Sequence, residues 1–553
     1  MRRRLATLAA VAVGLATAGT AGAAPGLIVG AADSSIDGNP DRAVATALDL
    51  GMTAVRPSVF WTVGQTHLSE GQIVSLDRAV EASAGRIRIV PAVYATSGDQ
   101  APTDQARRDQ YCSFVRDIVV RYPAIRDVVI WVEPNKTFFW KPQYNVDGSS
   151  AAPAAYEALV AQCWDTLHAA RADVNVIAAS TSPRGNDRPF ARSNVSHSPG
   201  SFIRQMGKAY RASGRTQRIF DTVGHHGYGE FSSERPWKAH AGTTIAQGDW
   251  AQLMQALYDA YHGTGQPIPG EQGVEIWYLE MGFQTDVDGT HAGLYTAEET
   301  DERSVSADAE IEPAFPSPDA TSEAPNLGTQ VADSLRLAFC QPYVGGWFNL
   351  MLADESDRGR WQSGFLWTDW TPKPAYATAQ QIIAEVRANG VDCSALKGKT
   401  EDGSPLTPQA FVPQAGVDVT KLEWTVNDLG KFALGLTFAV DEDVDYVAVV
   451  EAIKFVIDRS PQAKGKPRKA KPKKVMQTSG SLAAGKKGKV VFPKAKTKKL
   501  KPGTYRIRIF LTAKANPDRV TTITSPTFKV KATKTKAKAK KAAPKVKRAA
   551  ARG

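Results

Sequence analysis

From Gly26 to about Leu396 the chain alternates short apolar, β-branched runs with longer stretches in which apolar residues recur every three or four positions. The short runs are GLIVGAA, TAVRPSVF, RIRIVPAVY, DVVIWVE, VNVIAAS, FDTVGHHGY, EIWYLEMGF and VGGWFNLML, and between them lie stretches such as LDRAVEASA and DWAQLMQALYDAYHG. The first pattern predicts strands and the second amphipathic helices. Eight strands, each followed by a helix, predict an α/β fold, the (β/α)8 TIM barrel. An open doubly wound sheet would carry a Gly-rich phosphate loop after its first strand, and none stands there. The acidic, Ser- and Pro-rich stretch 298–326 falls between strands seven and eight as a long loop. It reads equally as a lid over the strand C-terminal ends or as disorder.

Beyond about Val412 the period shortens to two. LEWTVNDLGKFALGLTFAV, DYVAVVEAIKFVI, KGKVVFP, GTYRIRIFLTA and TSPTFKVKA alternate apolar and polar residues between turn signals. Residues 412–531 are therefore expected to form a small all-β, immunoglobulin-like sandwich, joined to the barrel (24–396) by a linker at 397–411. Within the sandwich, KGKPRKAKPKK reads as a long basic hairpin loop. The Lys/Ala/Pro-rich end, 532–553, reads as a disordered basic tail.

The first residues read as an address. Arg2, Arg3 and Arg4 precede an apolar run that ends in the small residues Ala21, Gly22 and Ala23, the pattern of a secretory signal peptide over 1–23. A membrane anchor would need about 20 apolar residues, and no later segment supplies a transmembrane span. A secreted or cell-surface protein is expected. The four cysteines suit that compartment. Cys112 and Cys163 lie in consecutive helical stretches, Cys340 ends one and Cys393 follows the last. Three pairings are possible; adjacency favours Cys112–Cys163 and Cys340–Cys393, and four buried free thiols are the alternative.

Charge separates the two halves. Residues 1–400 hold 34 Lys and Arg against 44 Asp and Glu, a net −10, whereas residues 401–553 hold 34 against 12, a net +22. Unlike halves imply unlike tasks. Nucleic acid is the usual partner of a Lys-rich tail, but an exported protein meets little of it, so none is expected. Anionic cell-envelope polymers are the better match, and a merely solvated tail is as plausible.

Two carboxylates end apolar strands: Glu133 in VVIWVEPNKTFFW after strand four, and Glu280 in IWYLEMGFQT at strand seven. Simple alternation puts Trp131 and Glu133 on one face, and Tyr278 and Glu280 on another. A carboxylate ending an apolar strand is costly to bury and usually serves something. Two on one rim of a barrel supply what cleavage of a glycosidic bond with retention requires: carboxyl groups about 5–5.5 Å apart, one acid/base and one nucleophile.

The EPN after strand four and the Glu-x-Gly-aromatic after strand seven resemble clan A of the glycoside hydrolases, near families 5 and 39, over most of residues 26–390. Arg56 in VRPSVFW is similar to that clan's arginine ending strand two, and His226 and Tyr228 in GHHGY to its His-x-aromatic pair ending strand six. GRWQSGFLWTDWTPKPAY is similar to the Trp-bearing segment after strand eight. The resemblance implies that Glu133 is the acid/base and Glu280 the nucleophile, acting on a carbohydrate without a cofactor. Val132 departs from the pattern: the clan carries Asn there, whose amide usually meets the sugar 2-hydroxyl. Either Asn135 or another group substitutes, or the substrate differs at that position, or activity is low.

Arg56 is a candidate to hold Glu280 ionised, Tyr228 to orient it, and His226 to line the pocket, while His225 has the opposite parity. Trp61, Phe138, Phe139, Trp140, Trp361 and Trp370 are candidates for stacking on sugar faces. Asp354 and Glu355 form a further acidic pair, but no His accompanies them and no metal is expected. A glycan-binding barrel that has lost activity and a structural envelope protein are the competing readings.

Overall fold

The computed structural model describes residues 26–393 except 241, 300–302 and 314–322, then 411 and, in separate stretches, 419–530. They divide into two compact units between Val412 and Pro413. The expected signal peptide and tail, and nearly all of the linker, lie outside the described residues.

The first unit is a closed parallel barrel. Its strands are Ile28–Ala32, Ala54–Val55 continued by Ser58–Phe60, Arg88–Ile89 continued by Ala92–Tyr94, Asp127–Ile130, Asn175–Thr181, Thr222–His226, Glu275–Met281 and Val344–Leu350. Every predicted run holds its strand. The first strand pairs in parallel with the eighth on one side and with Ala54–Val55 on the other. The second and third strands each break at a proline, Pro57 and Pro91, which have no N–H to give the ladder. Their carbonyls keep it going: Ala92 N donates to Pro57 O at 2.9 Å and Val129 N to Pro91 O at 3.0 Å. Both halves of each strand stay paired, so the ring closes without an edge.

The barrel interior is filled by Ala54, Val90, Ala92, Val129, Val132, Ile177, Trp277, Leu279 and Phe348. The Trp277 and Phe348 rings lie 5.9 Å apart and leave no room for side chains beside them. A Cβ on Gly30 would fall 2.7 Å from the Phe348 ring, and one on Gly346 2.8 Å from Trp277. Glycine is needed at both because of this close approach.

Helices close the outer layer, and their ends follow local chemistry. Pro199–Ser213 starts after Ser198, whose hydroxyl accepts from Ser201 N, has Pro at its first position, and stops at Gly214 with φ +71. Cys112 in Gln105–Arg121 bonds to Cys163 in Ala152–Ala170, with Cα atoms 4.9 Å apart. Cys340, ending Leu327–Cys340, bonds to Cys393 at 5.5 Å. The favoured pairing forms. Each closes a loop of just over 50 residues, which contributes about 4 kcal/mol in the chain-entropy account.

Of the stretch 298–326, the described parts are tied down: Val305 N donates to Gln284 O at 2.9 Å, and Arg235 donates to Pro313 O at 3.1 Å.

The second unit is antiparallel throughout. Val419–Thr425, Gly435–Val440 and Lys487–Val491 form one sheet; Lys473–Leu482, Val444–Ile453, Gly503–Ala513 and Asn516–Thr524 form another, with Phe528–Val530 on Gly503–Ala513. Alternate residues, among them Val444, Ala448 and Val450, and Ile507, Ile509 and Leu511, build its core. Arg506 and Arg508, on the other face, pair with Glu451 at 2.8 and 3.5 Å. The basic run is not all loop: Pro467–Lys469 pairs with Phe455–Ile457, and Lys473 onward is strand.

Candidate active site

Simple alternation fails at both glutamates, and that failure builds the site. Strand seven carries a bulge: His225 pairs with Tyr278, but the next residue, His226, pairs with Glu280. Tyr278 therefore points outward, its hydroxyl donating to Gln341 Oε1 at 2.8 Å. Leu279 packs in the barrel interior, and the extra residue swings Glu280 into the barrel mouth. Tyr278 and Glu280 do not share a face.

Strand four ends at Ile130. Trp131 (φ +65) and Glu133 (φ +41) then occupy the left-handed region, at a cost of order 1 kcal/mol or more each. Trp131 turns outward among Trp61, Tyr111 and Trp140, Val132 turns into the interior, and Glu133 is aimed at the mouth. Trp131 and Glu133 do not share a face either. The neighbouring strand is distorted to match, with Ala179 at φ +72 and Ser180 at φ +28, and Ser180 O accepts from Glu133 N at 2.9 Å. Four left-handed residues, Trp131, Glu133, Ala179 and Ser180, thus surround Glu133.

One imidazole joins them. His226 Nδ1 lies 3.0 Å from Glu133 Oε1 and 3.2 Å from Glu280 Oε2, so these two oxygens are at most about 6.2 Å apart. Nε2 of the same ring faces Ser180 Oγ at 3.3 Å. Arg56 Nη2 donates to Glu280 Oε1, while its Nε donates to Leu279 O at 3.2 Å. Tyr228 OH donates to Glu280 Oε2 at 3.1 Å. The two carboxylate side chains keep 15 % and 17 % of their surface exposed, so both are open to a ligand.

Burial raises the Glu280 pKa, but the charges of His226 and Arg56 and the Tyr228 and Arg56 hydrogen bonds outweigh it and hold the carboxyl below its usual range. Burial, then the Glu280 and Glu133 charges, push the Tyr228 phenol far up. It stays protonated and is a permanent donor.

Trp361 is 39 % exposed and stacks on Tyr228 with ring centroids 5.3 Å apart. The structure thus brings together Glu133, Glu280, Arg56, His226, Tyr228 and Trp361. His225 faces away, to Thr181 Oγ1 and Ile245 O.

Three expected binding residues do not reach the site. Trp61 and Trp140 are wholly buried behind it, against Tyr111 and Trp131, and Trp131 and Tyr156, respectively. Asn135 is also fully buried. Its amide donates to Ser182 O and His197 O and accepts from Ser182 N, so it cannot stand in for the asparagine absent at Val132. Trp370 lies under Arg42, 4.4 Å away. Phe138 is exposed, and Phe139 packs edge-on to Tyr94.

Tyr94 was not anticipated. It ends strand three, donates to Ser58 Oγ at 3.0 Å, and has Arg56 and Glu280 among its nearby charges. Asking which side chain ends each strand would have found it. Asp354 is neutralised by Lys373 at 2.7 Å, both fully buried, and among the described residues no acidic, His or Cys cluster suits a metal. A polar cleft at the opposite mouth is lined by Arg88, Asp127, Asn175 and Thr222, whose side chains hydrogen-bond to one another in a chain.

The described chain is thus a closed parallel barrel with two glutamates on one rim and a small antiparallel unit after it. No protein-family model matches the chain, and no curated protein does. Among solved structures it is similar to a family 39 glycoside hydrolase from the gut symbiont Bacteroides cellulosilyticus WH2, at 11 % identity over 82 % of this chain and 80 % of that one, TM-score 0.42. It is also similar to a GH39 beta-xylosidase from Caulobacter crescentus, at 14 % identity over 78 % and 83 %, TM-score 0.39. A third is the endo-beta-1,4-mannanase from Thermotoga petrophila, at 10 % identity over 92 % and 98 %, TM-score 0.39. These are glycoside hydrolases of the kind the sequence motifs resemble; at such identities and scores the likeness carries no argument about activity.

Proposed function

We propose that the barrel is a retaining glycoside hydrolase acting on O-glycosidic bonds of a β-linked glycan, with Glu280 as nucleophile and Glu133 as acid/base. The observation that carries this reading is the imidazole of His226 within 3.2 Å of both carboxylates. The two are close enough for one to attack the anomeric carbon while the other protonates the departing oxygen. Glu280 suits the attack, because Arg56 and Tyr228 keep it ionised and fix its orientation. Glu133, which accepts no hydrogen bond from an arginine among the described residues, suits a group that gives up a proton and then recovers one from water. Trp361, stacked on Tyr228, offers a platform to a sugar ring.

Val132 supports a second reading, a glycan-binding barrel with little activity, since no amide replaces the missing contact to the 2-hydroxyl. Export through residues 1–23, and attachment of the basic second unit and tail to anionic envelope polymers, complete the proposal.

Screening the purified protein against aryl β-glycosides and plant and bacterial polysaccharides tests it, with NMR recording the anomer first released. Retention of configuration is expected. Inversion contradicts the mechanism, and binding without turnover favours the second reading.

A further inference from the structure

The rim beside Glu133 carries two cations that form no ion pair among the described residues. Lys136 lies on the turn that starts at Glu133, whose carbonyl accepts from Lys136 N at 2.9 Å, and a β-bridge to Ser196 pins its backbone. Its side chain is half-buried, and Nζ reaches only a carbonyl, Arg184 O, at 3.5 Å. Arg184 follows strand five, and its Nη1 donates to the carbonyl of Gly229, the residue after Tyr228. The pair spans the rim from the loop after strand four to the loop after strand six.

Neither forms an ion pair among the described residues, although Lys141, five positions further along the same loop, pairs with Asp99 at 2.7 Å. Burial and the Arg184 charge push the Lys136 pKa down, and only the charge of Glu133 opposes them. Holding two like charges near each other, one half out of water, is unfavourable unless an anion arrives.

We propose that Lys136 and Arg184 form a subsite for an anionic substituent on the leaving-group side of the substrate. This rests on the assignment of Glu133 as the acid/base. The group that protonates the departing oxygen stands beside the sugar that departs, and Arg56, Tyr228 and Trp361 gather instead around Glu280. A carboxylate or a sulfate satisfies the same two donors.

The test uses the full-length protein on matched pairs: glucuronoxylan and a β-1,4-glucuronan beside their carboxyl-reduced forms, and a sulfated β-linked galactan beside its desulfated form. The readout is the ratio of kcat/KM on the charged form to that on the neutral form. A ratio of at least about tenfold is expected for one class of pair, and which class responds separates carboxylate from sulfate. Lys136→Gln and Arg184→Gln each lower that ratio, and Lys136→Glu brings it below one. Arg184 is exposed, so its variant folds even if Lys136 variants do not, and thermal unfolding checks both. A ratio near one for every pair cleaved, or one that Lys136→Gln and Arg184→Gln leave unchanged, overturns the subsite alone. No cleavage or binding of either form of any pair overturns the hydrolase reading and the subsite with it.

Discussion

Two buried ionic clusters in the same barrel answer the cost of burying charge in opposite ways. Around Lys373 every valence is used. Nζ donates to Asp354 Oδ1, Thr285 Oγ1 and Gln362 O at 2.7, 2.7 and 3.1 Å, while Asp354 also accepts from Gly364 N and Tyr295 OH. Both side chains have no exposed surface. Around His226 two carboxylates converge on one ring nitrogen, both remain partly open, and the backbone at Glu133 is strained. The first cluster is complete without a ligand and the second is not. Incompleteness, more than acidity, distinguishes a site that works on something else from one that holds the fold.

Removing charge from each cluster should therefore do different things. Glu280→Gln is expected to lower hydrolysis on the order of 10⁴-fold or more, and Glu133→Gln by roughly 10²–10⁴-fold, with the smaller loss on aryl glycosides whose leaving group needs no proton. Steady-state kinetics on the folded variants checks both, and neither should lower the melting temperature much. Lys373→Met should do the reverse. It strands Asp354 in a dry site and costs about 3–5 kcal/mol of stability, read by chemical denaturation. If Glu133→Gln destabilises as much as Lys373→Met, the contrast between the clusters is lost.

What could be read in advance follows the same division. Apolar runs and helical periods gave the strands and their order, because burial and period decide those, while helix adjacency favoured the disulfide pairing that forms and left free thiols as the alternative. Glu133 and Glu280 were legible by position, at the ends of apolar strands. Their orientation was not: it depends on the bulge that pairs His226 with Glu280 and on left-handed Trp131 and Glu133, which simple alternation cannot anticipate. Trp61, Trp140 and Asn135 have the right chemistry for sugar binding, but a residue type does not reveal whether its side chain is already occupied. Trp61 and Trp140 fill the layer behind Trp131, and the amide of Asn135 is taken up by the backbone of Ser182 and His197 in the segment after strand five.

A smaller effect sharpens the comparison through pH. His240 is held between Asp249 and Glu234 at 2.8 and 3.1 Å. Burial lowers its pKa, but these two carboxylates outweigh that and raise it to about 9, while Glu234, in spite of its own burial, falls to about 2 through His240 and Lys238. The His240 contribution to stability is full below its unfolded value near 6.5 and is lost as pH rises through about 9; that of Glu234 is present above about 4.5 and is lost as pH falls through about 2. Melting temperature should decline between pH 7 and 9 in the native protein more steeply than in His240→Gln. Equal slopes would show that the network is not coupled to folding.

The smallest effect concerns the sugar. With Val132 in the barrel interior and Asn135 occupied, removing the 2-hydroxyl from an aryl glycoside substrate should cost less than about tenfold in kcat/KM, where a dedicated contact supplies several kcal/mol. A loss of a hundredfold or more would reveal a donor elsewhere on the rim.

The most direct test of the central claim is covalent trapping. Incubation with activated 2-deoxy-2-fluoro glycosides slows the second step of a retaining mechanism more than the first, so the glycosyl-enzyme accumulates, and peptide mapping by mass spectrometry then locates the sugar. A single ester on Glu280 is expected, absent in Glu280→Gln. An adduct on any other residue, or turnover with inverted configuration and no adduct, would contradict it.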